Sequence, residues 1–123
     1  MTLRLSPLPK TWIFDVDGTL VIHNGHLRPE GDELLPGVKE FFAAVPDSDR
    51  IVLLTARKQS ELAQLENFLR QRGIRFDAIL CDMPQGERIL VNDSKPSGLL
   101  TAYAVNKKRD SPLEVDYVID PNL

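Results

Sequence analysis

The chain has a single cysteine and no long apolar run. Because Cys81 has no second cysteine to pair with, the sequence excludes an intramolecular disulfide and a cysteine-rich zinc site. No segment reaches the roughly 18 consecutive apolar residues of a membrane span, and the N-terminal segment has no apolar core of signal-peptide length. We therefore expect a cytoplasmic protein without a membrane partner, in which Cys81 is a buried structural thiol.

The chain also lacks an excess of positive charge. Its formal net charge is -3 and its pI is about 5.3, so binding to a nucleic-acid backbone is not indicated and nucleic acid enters only as a substrate. The one basic run, Lys107, Lys108 and Arg109, is typical of a solvated loop. With 42% hydrophobic and 27% charged residues, the composition predicts one globular domain over residues 1–123.

Short apolar runs alternate with helical patterns along the chain. The runs that predict strands cover residues 11–16, 51–55, 76–81, 88–93 and 101–105. Apolar spacing predicts one helix between Pro36 and Pro46, and a second from an N-cap at Ser60 to a stop at Gly73. The alternation predicts an α/β fold with a mostly parallel sheet.

Two segments lie outside this alternation. Asn24-Gly25, within residues 21–27, predicts a small β-hairpin flap, since this dipeptide supplies the positive φ angles of a tight turn. Residues 111–120 are compatible with a last helical turn and with an edge strand, and the pattern does not decide between the two.

Polar side chains lie at the ends of three predicted strands. Asp15 and Asp17 follow the first, Thr55 ends the second, and Asn92 and Asp93 end the fourth. Because an open parallel sheet binds ligands at the carboxyl ends of its strands, these side chains are expected to meet. Converging carboxylates repel each other unless a cation lies between them, and their hard oxygen atoms suit Mg²⁺. The sequence therefore predicts a magnesium site.

The sequence Asp-Val-Asp-Gly-Thr at residues 15–19 resembles the first motif of the haloacid dehalogenase (HAD) superfamily. Such a motif is expected by chance in roughly one chain of this length in a thousand. Thr55 and Asp93 follow in the order of the second and fourth motifs, so the resemblance covers residues 11–105. It implies a HAD-like, Rossmann-like three-layer sandwich.

The resemblance also implies roles. Asp15 would attack phosphorus and form an aspartyl-phosphate, while Asp17 would protonate the leaving group and then activate water. Mg²⁺ would be held by Asp15, Asp17 through its backbone carbonyl, and Asp93. Thr55 would bind a phosphoryl oxygen. Because family members that cleave carbon–halogen bonds lack an aspartate at the position of Asp17, phosphate hydrolysis is favoured.

The sequence departs from the family pattern in two places. Asn92 stands where an acidic residue or glycine is usual, which weakens the expected metal site or leaves Asn92 to position a water. The third-motif lysine has two candidates, Arg88 and Lys95, of which Lys95 is preferred because it follows the strand tip. Gly18, within the matched motif, and Ala56, next to Thr55, are also expected to contact substrate.

Some of these residues and their neighbours also fit other roles. An EF-hand loop opening at Asp15 fails, because Leu20 and His26 occupy the positions that require glycine and glutamate. His23 and His26 are interpreted as polar flap residues rather than metal ligands. Arg57 is either a solvated residue at a helix start or a ligand for a second anionic group of the substrate.

The intervals between the matched motifs are too short for a folded cap domain. An open site accepts a phosphorylated small molecule or polymer end, unless a neighbouring subunit of a homo-oligomer closes it. Similar capless members include polynucleotide 3'-phosphatases and phosphatases of polysaccharide synthesis, and the acidic pI favours a sugar phosphate. The alternatives are a polynucleotide 3'-phosphatase and a non-catalytic binding module with the same fold.

Overall fold

The computed structural model describes all residues from 1 to 123 and has an α/β fold. The chain forms strands β1 (Leu3–Leu5), β2 (Thr11–Asp15), β3 (Arg50–Leu54), β4 (Ala78–Leu80) and β5 (Tyr117–Ile119), and helices α1 (Val38–Ala44) and α2 (Leu62–Gln71). It divides into two compact units: a larger one of Pro9–Pro84 and Lys107–Glu114, and a smaller one of Met1–Leu8, Gln85–Asn106 and Val115–Leu123. No helix in either unit combines the length and apolar character needed to cross a bilayer.

The larger unit contains a three-stranded parallel sheet in the order β2-β3-β4. Phe14 pairs with Leu53, which pairs in turn with Ile79. Phe14, Leu53 and the neighbouring Ile51 are buried, because strands in a parallel sheet are covered by the connections between them. The first three predicted strands and their parallel arrangement are confirmed, with ends that differ by one or two residues.

Both predicted helices are present in the larger unit. In α1, Val38 and Phe42 are buried one turn apart. The ring centroid of Phe42 lies 4.9 Å from that of Phe14 on β2. In α2, Leu65 and Leu69 are fully buried with the same spacing. The predicted N-cap at Ser60 is wrong, because residues Gln59–Glu61 form a 3-10 turn that precedes α2.

The predicted β-hairpin at residues 21–27 is wrong. A two-residue hairpin turn of the Asn-Gly type requires positive φ at both central residues. Asn24 has a φ of 57°, but Gly25 does not take a positive φ and instead begins a 3-10 turn, Gly25–Leu27. Backbone hydrogen bonds from Ile22 N to Glu33 O (3.0 Å) and from Leu35 N to Leu20 O (2.9 Å) close a wider loop.

The smaller unit is built on a parallel pair of short strands, β1 and β5. Leu3 N donates to Asp116 O at 2.8 Å, Asp120 N donates to Leu5 O at 2.8 Å, and Arg4 forms an ion pair with Asp120. Of the two alternatives for residues 111–120, the edge strand is therefore the correct one.

The predicted fourth and fifth strands, residues 88–93 and 101–105, are wrong. Neither segment forms a strand, and the side chains of Ile89 and Val91 are 86% and 90% exposed. Local side-chain contacts replace a ladder here, since Asn92 Nδ2 donates to Thr101 O at 3.2 Å and Thr101 Oγ1 donates to Asp93 O. Such contacts compete with strand pairing.

Candidate active site at the carboxyl end of β2

A polar cavity of about 250 Å³ lies in the larger unit where β2 ends. Its lining includes side chains of both signs of charge. The lining residues are Asp15, Asp17, Gly18, Thr19, Lys107 and Arg109. A larger cavity of about 370 Å³ beyond the end of α2 is lined by Arg70, Gly73, Ile74, Arg75 and Phe76. The larger cavity has no carboxylate or hydroxyl group among these residues, so the candidate site is the one beside β2.

The backbone turns sharply after β2 and presents two carboxylates to this cavity. Val16 is fully buried, and its carbonyl accepts hydrogen bonds from Thr19 N (3.2 Å) and Leu20 N (2.9 Å). Gly18 has a φ of +83°, which its lack of a side chain permits. Thr19 Oγ1 donates to Asp15 Oδ2 at 3.2 Å. The chain therefore leaves the sheet directly after Asp15.

Both oxygens of the Asp17 carboxylate accept hydrogen bonds. Oδ1 accepts from Arg57 Nε at 3.1 Å and from Arg57 Nη2 at 2.8 Å, and Oδ2 accepts from Thr55 Oγ1 at 3.1 Å. Thr55 is fully buried, and its hydroxyl oxygen in turn accepts from Arg57 N at 3.0 Å. In this structure, the Thr55 hydroxyl therefore donates to Asp17.

The guanidinium of Arg57 also binds a second carboxylate, that of Asp32. Nη1 donates to Asp32 Oδ2 at 2.9 Å and Nη2 donates to Asp32 Oδ1 at 2.8 Å. The side chains of both residues are only 3% exposed. Burial by itself lowers the pKa of Arg57, but hydrogen bonds to Asp32 and Asp17 outweigh it and raise that pKa. Arg57 is thus a buried cation, and its interpretation as a solvated residue is wrong.

The segment that carries the basic run is attached to the turn after β2. Asp110 N donates to Gly18 O at 2.9 Å, and Lys107 Nζ donates to the same carbonyl at 3.2 Å. The carboxylate of Asp110 accepts from His23 N at 2.8 Å. Burial lowers the pKa of Lys107, against the opposing effect of Asp110. The prediction of a solvated loop is correct for the exposed Lys108 but wrong for Lys107, and Arg109 lines the cavity although it is exposed.

The remaining predicted site residues lie elsewhere. Ala56 is exposed and follows the buried Thr55. His26 Nε2 lies 3.2 Å from Glu61 Oε2, which places His26 beside the 3-10 turn that precedes α2. Arg88, Asp93 and Lys95 belong to the smaller unit. The site described here is accordingly built from residues of the larger unit alone.

The donor set at the cavity suits a hard cation in part. Asp15 and Asp17 both line it, and because the Asp17 carboxylate is engaged, an Asp15 oxygen and the Asp17 backbone oxygen are the donors that fit Mg²⁺. Mg²⁺ commonly takes one or two carboxylates and keeps several waters. No group of three or more His, Cys, Asp or Glu side chains is arranged to hold a metal ion.

Three residues of this site were not identified from the sequence: Asp32, Lys107 and Arg109. Asp32 had no local signal, because its partner Arg57 is 25 positions away. The basic run at Lys107 and Arg109 was visible, but a run of charges is common on solvated loops. Only the hydrogen bonds to Gly18 reveal its position.

Comparisons with known proteins do not add to this geometry. No protein-family model matches the chain, and searches of curated proteins and of solved structures found no significant match.

Proposed function

We propose that the protein is a Mg²⁺-dependent phosphomonoester hydrolase with a capless, HAD-like three-layer fold, and that Asp15 is its nucleophile. The observation that carries this proposal is the polar cavity, which is lined by Asp15 and Asp17 together with Lys107 and Arg109. Hydrolysis of a phosphate ester through a covalent intermediate requires a nucleophile that attacks the phosphorus atom. It also requires cations that stabilise the negative charge of the phosphoryl group. The cavity offers both, within a sequence that resembles the first HAD motif.

Each side chain has a chemical role in this proposal. Asp15 attacks phosphorus and releases the alcohol, and water then hydrolyses the aspartyl-phosphate. Asp17 gives a proton to the leaving alcohol and later takes one from the attacking water. Lys107 and Arg109 stabilise the charge of the phosphoryl group, and thereby supply what the third-motif lysine supplies in the family.

The magnesium ion belongs to the proposal as a cofactor. It would be held by Asp15 and by the backbone oxygen of Asp17, with water molecules as its other ligands. When bound, Mg²⁺ reduces the repulsion between an attacking carboxylate and an anionic phosphate. The substrate class we favour is a sugar phosphate or related metabolite, given the acidic pI of about 5.3.

A phosphate-binding module without turnover is the second candidate. The observation that favours it is the engagement of both Asp17 carboxylate oxygens by Arg57 and Thr55, because an acid/base group must exchange protons with substrate. A binding module needs only the cations and the shaped cavity.

Hydrolysis assays separate the two candidates. The purified protein is incubated with p-nitrophenyl phosphate and with a panel of sugar phosphates, nucleotides and 3'-phosphorylated oligonucleotides, with Mg²⁺ and with EDTA. We expect hydrolysis that depends on Mg²⁺, with a sugar phosphate preferred. Inactivity on the whole panel, combined with measurable phosphate binding by calorimetry, would instead establish the binding module.

A further inference from the structure

One buried cation joins two carboxylates beside the candidate site. Arg57 uses Nε and Nη2 toward Asp17 Oδ1, and Nη1 and Nη2 toward the two oxygens of Asp32, with all four contacts between 2.8 and 3.1 Å. Two-point contacts of this kind determine the plane of the guanidinium as well as its location. Asp17 lies at the cavity, whereas Asp32 lies on the loop that follows the turn after β2, and its side chain is buried.

Asp32 is itself held in a defined place. Its loop is closed by the hydrogen bond from Ile22 N to Glu33 O at 3.0 Å. A Cβ atom added at Gly25 would lie 3.3 Å from Asp32 Oδ1 and 3.4 Å from Asp32 Cα, so the backbone of the 3-10 turn packs closely against Asp32. The loop therefore presents one carboxylate at a set position to Arg57.

The contacts define an order of support. Nη1 of Arg57 has Asp32 as its hydrogen-bond partner, so loss of this carboxylate leaves a buried donor unsatisfied and frees the guanidinium to turn. The Asp17 carboxylate, whose Oδ1 accepts two bonds from that guanidinium, then loses the contact that sets its direction. A misplacement of about 1 Å in a reacting group can cost on the order of a hundredfold in rate.

We propose that Asp32 is a positioning residue that acts through Arg57 to fix the orientation of the Asp17 carboxylate beside the cavity. Its effect on catalysis rests on the proposed phosphatase function, whereas its effect on the orientation of Asp17 does not. Asp32 touches neither the cavity nor the reacting atoms, and its role is carried entirely by the guanidinium between the two carboxylates.

Kinetics of matched variants test this role. Asp32→Asn keeps the side-chain shape and removes the charge, and Glu33→Gln makes the same change at an exposed neighbour on the same loop. With folding verified by circular dichroism, we expect Asp32→Asn to lower kcat by about 10- to 100-fold with KM within about twofold of wild type. Glu33→Gln should retain wild-type kcat. Equal kcat in the two variants, or a change confined to KM, overturns the proposal.

A conservative change at Arg57 separates charge from geometry. Arg57→Lys keeps the positive charge but loses the planar fork. We expect it to lower kcat as Asp32→Asn does, and we expect the double variant to lie within about threefold of the Arg57→Lys single variant, because both changes interrupt the same support. Multiplicative losses in the double variant would show that Asp32 does not act through Arg57.

A crystal structure of Asp32→Asn supplies a readout that needs no activity. We expect the bidentate Arg57–Asp17 contact to be lost or disordered in this variant and preserved in Glu33→Gln. If the Asp17 carboxylate keeps its position and its Arg57 contacts in Asp32→Asn, the proposal is wrong even for an active enzyme. If the wild type hydrolyses no phosphate ester but Asp17 moves as expected, the positioning role stands and the phosphatase proposal fails. Should Asp32→Asn not fold, the crystal structure of Arg57→Lys decides: an unchanged Asp17 overturns the proposal.

Discussion

At the residue scale, single carboxylates attach the sheet of the larger unit to the segments beside it. Asp49 accepts from Lys10 N at 3.0 Å and from Trp12 Nε1 at 2.9 Å, just before β2 and within it. Asp77 accepts from Ile51 N at 2.7 Å on β3, beside its ion pair with Arg50. A carboxylate that accepts a backbone N–H bond is stabilised in its charged form, so the attachment through Asp77 depends on pH.

Asp77→Asn tests this dependence. The hydrogen bond from Ile51 N lowers the pKa of Asp77 below its usual 3.8, and Arg50 adds to this effect. Desolvation of the carboxylate opposes it. A carboxylate whose pKa is lowered by folding stabilises the folded state at pH values above its unfolded-state pKa. This stabilisation is lost as the pH falls through its folded-state pKa. We expect the thermal midpoint of Asp77→Asn to lie below wild type at pH 6, and the difference to shrink as the pH falls through the lowered pKa of Asp77. A difference that does not change with pH would contradict this.

Arg109 gives a second prediction at this scale, which concerns the binding of phosphate. Arg109→Gln removes a cation that lines the cavity, and Lys108→Gln removes the exposed cation next to it, which does not. We expect Arg109→Gln to weaken phosphate binding about tenfold, the order of one charge-assisted hydrogen bond. Titration calorimetry with inorganic phosphate measures this without turnover. Equal losses in both variants would indicate a general charge effect instead of a specific contact.

At the element scale, the start of α1 depends on a close approach of two backbones. Gly37, which precedes α1, has a φ of +85°, and a Cβ atom there would lie 2.6 Å from Leu113 O. Leu113 N also donates to Pro36 O at 2.9 Å. The segment that carries Lys107 and Arg109 toward Gly18 is therefore also attached at the start of α1.

Gly37→Ala should disrupt this attachment. Both a positive φ and a steric clash oppose the added methyl group, whereas at Gly73 the φ is +73° but no atom lies within 4 Å. We expect Gly73→Ala to cost about 1 kcal/mol of unfolding free energy and Gly37→Ala about 3 kcal/mol or more. Urea unfolding of the two variants measures the difference, and equal costs would show that Leu113 yields to the methyl group.

At the scale of the whole molecule, the features that sequence predicts are the local ones. The runs that became β2, β3 and β4 are mostly apolar, and Leu65 and Leu69 repeat at helical spacing, so each element follows from its own residues. The run at residues 88–93 has the same apolar character but no strand, because pairing requires a partner that the run itself does not specify. Local pattern alone does not decide this.

The residues of the candidate site likewise fall into those that a local motif predicts and those that it does not. Asp15 and Asp17 follow from a contiguous motif, whereas Asp32, Lys107 and Arg109 reach the site through contacts between distant segments. Arg57 is an intermediate case. Its position two residues after the matched Thr55 is visible in the sequence, but its burial between two carboxylates has no local sequence pattern.

Hydrogen exchange tests the difference between the two kinds of apolar run. Amides of β3, the central strand of its sheet, should be protected, because they are held in ladders on both sides. Amides of residues 89–91, whose side chains are 58% to 90% exposed, should exchange at nearly unprotected rates. Mass spectrometry of peptic fragments measures both in one experiment. Comparable protection of the two segments would show that residues 88–93 do form a strand.

The central claim is that Asp15 is a phosphoryl-accepting nucleophile, and rapid quench of a single turnover tests it most directly. The protein is mixed with a phosphate ester and Mg²⁺, quenched in acid, reduced with borohydride and digested for mass spectrometry. We predict homoserine at residue 15, formed by reduction of the aspartyl-phosphate. We also predict that Asp15→Asn lowers kcat on the order of a thousandfold or more, whereas the exposed Asp47→Asn leaves it unchanged. Turnover without modification at residue 15, or equal kcat in Asp15→Asn and wild type, would contradict the account.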